Sequence, residues 1–184
     1  YRAYATSAMR EARNNRIVLD QIRVRTGIQV RIISNSEQRF LGYKAIAVSD
    51  DEFDENIQQG TAIVGVGFGS MQISLFDRNL LVTTENLPLG VLRIRGTLQD
   101  VNTTVEQYRD LIGEMVDNEL ENYKKMYLKD KKIKHLIGIG ENILYLFRYE
   151  DHGKPLRRVT RERFDEFYAR LVMMNETQIE EAFG

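Results

Sequence analysis

A chain of 184 residues can bury one large core or two small ones. With 26 basic against 27 acidic residues the net charge is -1, so no global field points to nucleic acid or to an anionic membrane. Cysteine is absent, which excludes disulfides and zinc-thiolate sites, and no apolar run approaches the roughly 20 residues that span a bilayer. A cytoplasmic protein is expected.

In chain order, the first element is a short strand ending in "YRAYAT". Ser7 follows as a cap for a helix carrying Met9, Ala12, Ile17 and Leu19, and Gly27 supplies the stop. "IQVRII" at 28–33 alternates as a strand does. Ser34 or Ser36 then caps a helix in which Phe40, Leu41, Ala45 and Ile46 fall at helical spacing. Strand, helix, strand, helix is the order of a parallel sheet with right-handed crossovers. The polar, acidic stretch "SDDEFDENIQQG" at 49–60 is the one convincing boundary.

Three short strands come next, at about 61–67, 71–76 and 80–86, and their spacing predicts a meander that Pro88 and Gly90 end. A long helix is predicted over about 103–128, with Val105, Tyr108, Leu111, Ile112, Met115, Val116, Leu120 and Tyr123 as its buried stripe. "KDKKIKH" leads into a buried strand, "LIGIG", and a helix start at Glu141 or Asn142. Two helices, at about 160–173 and 175–183, close the chain.

Within the meander, "TAIVGVGFGSMQISLF" sets Gly65, Gly67 and Gly69 at alternate positions, which strips one face of the hairpin of side chains. Two occupants fit such a stripe. A phosphate can be cradled by Gly67, Gly69 and the Ser70 hydroxyl, because a nest of backbone amides needs no acid. A neighbouring helix can equally lie against it. At the second anion candidate, after "GIG", Asn142 adds a donor at a helix start while Glu141 already satisfies the same field. The basic clusters "KDKKIKH" and "RRVTRER" read as solvated turns and helix faces, with a track for a long polyphosphate as the alternative. His135 and His152 share no ligand spacing, so no metal site is predicted.

"YATSAMREARN" at 4–14 resembles the "ATxAxRxAxN" motif of the exopolyphosphatase and guanosine pentaphosphate phosphohydrolase (Ppx/GppA) family. "IISNSEQRFLGYKAI" is similar to its "ISGxEEARLIxxGV", "AIVGVGFGSMQI" to its "xVIDIGGGSTEL", and "LPLGVLRI" and "HLIGIGENI" to later segments. The resemblance implies an α/β protein of the ribonuclease H-like, actin and Hsp70 superfamily. Residues 1–48 would be the second half of the first lobe, 49–60 a linker, and 61–184 the second lobe. The rest of lobe one would lie upstream of Tyr1.

The same resemblance implies hydrolysis of a terminal phosphoanhydride, with a glutamate activating water and a divalent metal neutralising phosphate. The family's catalytic glutamate falls on Gln38, its metal-organising aspartate on Gly65, and the glutamate after "GGGST" on Gln72. Glu37, one position earlier, is the substitute base to consider. Phe68 replaces a glycine of the phosphate turn. Arg10 matches the motif arginine, a phosphate ligand or an ion-pair partner. The reading is therefore a degenerate Ppx/GppA relative that binds phosphate, polyphosphate or a phosphorylated nucleotide. Its hydrolysis is impaired, no cofactor is evident, and Mg2+ is implied only if it is active. An active phosphohydrolase using upstream residues and a structural dimerisation module are the alternatives, and a homodimer is expected.

Overall fold

The computed structural model describes residues 1–99, 104–129, 131–141, 143–144 and 158–183. Two compact units emerge, Tyr1–Gly138 and Ile139–Gly184.

In the first unit, β1 (Ala3–Ala5) and β2 (Val30–Ile32) form a two-stranded parallel sheet, with Ala3 opposite Val30 and Ala5 opposite Ile32. The single helix predicted between them is two: α1 (Ser7–Glu11) and α2 (Asn15–Thr26). Ser7 is not a cap but the first helical residue, and Thr6 precedes it at the N-cap position. Gly27 ends α2 in the left-handed conformation at φ 71°, which glycine adopts without Cβ strain. Ser34 caps α3 (Asn35–Ser49). The 49–60 stretch carries α4 (Phe53–Asn56), whose Phe53 is buried.

The meander follows as β3 (Thr61–Val66), β4 (Met71–Asp77) and β5 (Leu80–Leu87), all antiparallel. β6 (His135–Ile139) joins on the far side of β3, giving the order β5-β4-β3-β6. One face of this sheet carries Ala62, Ile73 and Leu75 and packs on Tyr123 and Leu120 of α6 (Val105–Tyr123) and on Tyr127 and Leu128 of the π-helical turn Lys124–Leu128. The other face carries Gln72, Ser74 and Phe76 and meets α3, where the Tyr43 hydroxyl donates to Ser74 Oγ at 2.6 Å and its ring stands edge-on to Phe76 at 5.2 Å. Ser74 also lies 3.2 Å from Thr84 Oγ1, so this buried hydroxyl is fully used. A helix missing from the sequence reading, α5 (Val91–Leu98), follows Gly90.

In the second unit, Thr160 caps α7 (Arg161–Met173) by accepting from the Arg163 amide, and Phe167 is its buried residue. Asn175 and Gln178 exchange reciprocal bonds at the start of α8 (Glu176–Phe183). Among the described residues, no helix is long and apolar enough to cross a membrane.

Candidate functional site

The site begins at the junction of β2 and α3. The Ser34 side chain accepts from the Glu37 amide at 3.1 Å, and Glu37 Oε2 accepts from the Ser34 amide at 3.0 Å, a reciprocal cap that satisfies two donors without helical partners. The remaining oxygen of Glu37 accepts from Arg31 at 2.7 Å. The Ser34 amide, and then Arg31, hold this carboxyl below its usual range. Glu37 is therefore an exposed, ionised carboxylate with both oxygens engaged.

The face α3 turns inward is set by its period. Asn35, Gln38, Arg39, Gly42, Tyr43 and Ile46 are the partly or fully buried positions, spaced by three and four. Gln38 is thus an inward residue and Glu37 an outward one, about 100° apart around the helix. The sequence reading recognised this helix by the spacing of Phe40, Leu41, Ala45 and Ile46. Only Ile46 is buried, and Phe40 and Leu41 are 56% and 43% exposed. Among the described residues, Gln38 Oε1 is buried without a hydrogen-bond partner, and so is Arg39 Nε. Arg39 went unremarked in the sequence, although it stands four residues before Tyr43.

Arg10, reaching from α1, donates to the Ile33 carbonyl at 2.7 Å and to Asn35 Oδ1. It fastens α1 to the start of α3, and two of its donors are committed there.

The glycine-rich hairpin tip is filled by protein backbone. Gly67 donates to the Ser70 carbonyl at 3.0 Å, and the carbonyls of Gly67 and Phe68 accept from the first amides of α5, Val91 at 3.2 Å and Leu92 at 2.9 Å. A Cβ on Gly90 would stand 2.1 to 2.4 Å from backbone atoms of Gly69, Ser70 and Phe68, and one on Gly69 would stand 2.6 Å from Ser7 Oγ. Small residues here permit the approach of α5 and α1. Arg93 of α5 completes the junction by donating to the Gly69 carbonyl at 2.8 Å and to both Glu11 oxygens at 2.7 Å. Phe68 points outward, 56% exposed, rather than into the turn. Gly65 pairs with Gln72 in register, and Gln72 is buried between Gly65 and Asn86. Asn142 lies outside the described residues, as does His152.

A divalent cation of the magnesium kind needs oxygen donors, usually with one or two carboxylates. The inward positions offer amides, a glycine and a guanidinium, which do not fit one. Among the described residues, no three His, Cys, Asp or Glu side chains are grouped as metal ligands.

By sequence, residues 2–183 match the Ppx/GppA phosphatase family. The chain belongs to that family. Solved Ppx/GppA-type structures share its fold over 93% to 99% of the chain. The Aquifex aeolicus family member is 19% identical with a TM-score of 0.67. A crystallised exopolyphosphatase-like protein is 17% identical with a TM-score of 0.73. An exopolyphosphatase from Cytophaga hutchinsonii, 17% identical with a TM-score of 0.64, covers 93% of the chain. The chain spans only 58%, 58% and 56% of those three structures, respectively. No curated protein shows a significant match. As a Ppx/GppA chain it has the α/β, ribonuclease H-like fold of its class. Gln38, Gly65 and Gln72 are where the motif resemblance places that family's acids, and in the structure Gly65 and Gln72 are cross-strand neighbours.

Proposed function

We propose that this Ppx/GppA domain binds a phosphate-type ligand, polyphosphate or a phosphorylated nucleotide, and hydrolyses it poorly or not at all. In this reading residues 1–48 end one lobe and 61–184 belong to the next, with 49–60 between them, and the ligand meets the inner face of α3. The observation that carries the reading is the orientation of α3's first turn. Glu37 faces outward, held by Ser34 and Arg31, while the inward neighbour is the amide of Gln38. An amide takes no proton from water near neutral pH, so the chemistry for which the fold is built lacks its base here.

Binding survives such a loss, because it needs donors rather than a base. Arg39 on α3 and the Ser70 hydroxyl at the hairpin supply donors of the kind a phosphate takes. The test is to incubate the purified chain with polyphosphate or guanosine pentaphosphate and Mg2+, following orthophosphate release and, separately, ligand binding by calorimetry. Binding that weakens as salt rises, with release at the level of the protein-free blank, is the expected result. Steady turnover abolished by Glu37→Gln would overturn it.

A further inference from the structure

We infer that Arg39 takes the place of a divalent cation in this chain, so that its phosphate site is metal-independent. The inference rests on the binding reading above and concerns the charge that holds the ligand.

Its basis is the register of α3 on the sheet. Tyr43 meets Ser74 and Phe76, which fixes one point of contact. Arg39 lies four residues earlier on the inward face of α3, about 6 Å along the helix axis. Gln72 lies two residues before Ser74 on the same sheet face, about 6.6 Å along the strand, and Gly65 is its cross-strand partner. The direction agrees with the contacts at either end. Phe53, beyond the C-terminal end of α3, reaches Phe76, and α1, tied by Arg10 to the N-terminal end of α3, meets the hairpin tip through Ser7. By this register the inference sets Arg39 over Gly65 and Gln72.

The charge balance follows. Among the described residues, the Arg39 guanidinium makes no hydrogen bond or ion pair, although the residue is partly buried and its Nε is sealed from solvent. A partly buried cation with no partner is costly, and its five donors remain available to an anion in a geometry suited to phosphate oxygens. On the facing strands Gly65 of β3 has no side chain and Gln72 of β4 is neutral, so neither position offers a competing carboxylate. Where a carboxylate pair would grip a metal and the metal would grip phosphate, a guanidinium does the second task directly. An acid at position 65 would neutralise it.

The probe is tripolyphosphate, titrated into the purified chain by calorimetry with EDTA and again with excess Mg2+. Binding is expected in EDTA and is expected to weaken with Mg2+, because the metal complexes the anion. Arg39→Gln should weaken metal-free binding at least tenfold while leaving the thermal midpoint of the ligand-free chain unchanged or higher, since an unpartnered charge has been removed. Gly65→Asp, which presents Arg39 with an internal anion, should also abolish metal-free binding. Binding that appears only with Mg2+, an Arg39→Gln variant within twofold of the parent, or an Arg39→Gln chain of lower thermal midpoint would overturn the assignment while sparing the binding reading. No binding under either condition would overturn both.

Discussion

Tyr123, like Gln38 and Arg39, buries a polar atom, here the hydroxyl oxygen, with no hydrogen-bond partner among the described residues. It is 3% exposed and packs against the sheet face that carries Ala62, Ile73 and Leu75. Removing that oxygen costs no hydrogen bond, so Tyr123→Phe is expected to raise stability by about 1 kcal/mol, read from the denaturant midpoint at pH 7. Burial, and then the charge of Glu85, push this phenol well above its ordinary value of 10. A raised folded value means the associated stability is complete below pH 10 and is lost as pH climbs towards the folded value. The variant should lose less stability than the parent between pH 9 and 11 (roughly the window around the unfolded phenol's titration). Glu37 gives the opposite sign. Its depressed carboxyl supports the fold above the unfolded value of 4.5, and that support disappears as pH falls through the folded one. Glu37→Gln should therefore melt below the parent at neutral pH, and the two melting curves should converge in acid.

At the scale of elements, the hairpin and α5 hold one another. The amides at the start of α5 would otherwise lack acceptors, and the Gly67 and Phe68 carbonyls provide them. Gly90→Ala is expected to cost about 3 kcal/mol, since the new methyl meets backbone that cannot swing aside. Chemical denaturation would show this, and Gly96→Ala in the same helix, with nothing within 4 Å, serves as the control. The glycine stripe was legible in the sequence because alternation follows directly from the strand. α5 was not. Val91–Leu98 starts without a side-chain cap and contains Gly96, so its local preference is weak and its hydrogen bonds to the hairpin contribute much of what holds it. α3 was read as a helix from the spacing of Phe40, Leu41, Ala45 and Ile46, yet of these only Ile46 is buried, while the polar Gln38 and Arg39 turn inward. A polar residue turned inward is what a hydrophobic period cannot reveal.

For the molecule as a whole, the contact between α3 and the sheet joins the two halves of the first unit's sequence. Ser74 is its centre, taking the Tyr43 hydroxyl and standing beside Thr84. Ser74→Ala leaves the Tyr43 hydroxyl without its acceptor and is expected to cost about 1 to 3 kcal/mol, measured by urea unfolding, with Tyr43→Phe in the same background recovering part of the loss. Residue order by itself determined the meander, the stop at Gly27 and a cap at Ser34 or Ser36, because each depends on neighbours within a few positions along the chain, and its strand–helix–strand alternation and motifs implied the parallel pair and the family. Only the tertiary structure decided that Arg10 is a fastening, that the bare hairpin is filled by α5, and that Arg39 stands inward with no partner among the described residues. Those outcomes turn on which side of a helix meets which side of a sheet, a matter of packing between segments tens of residues apart.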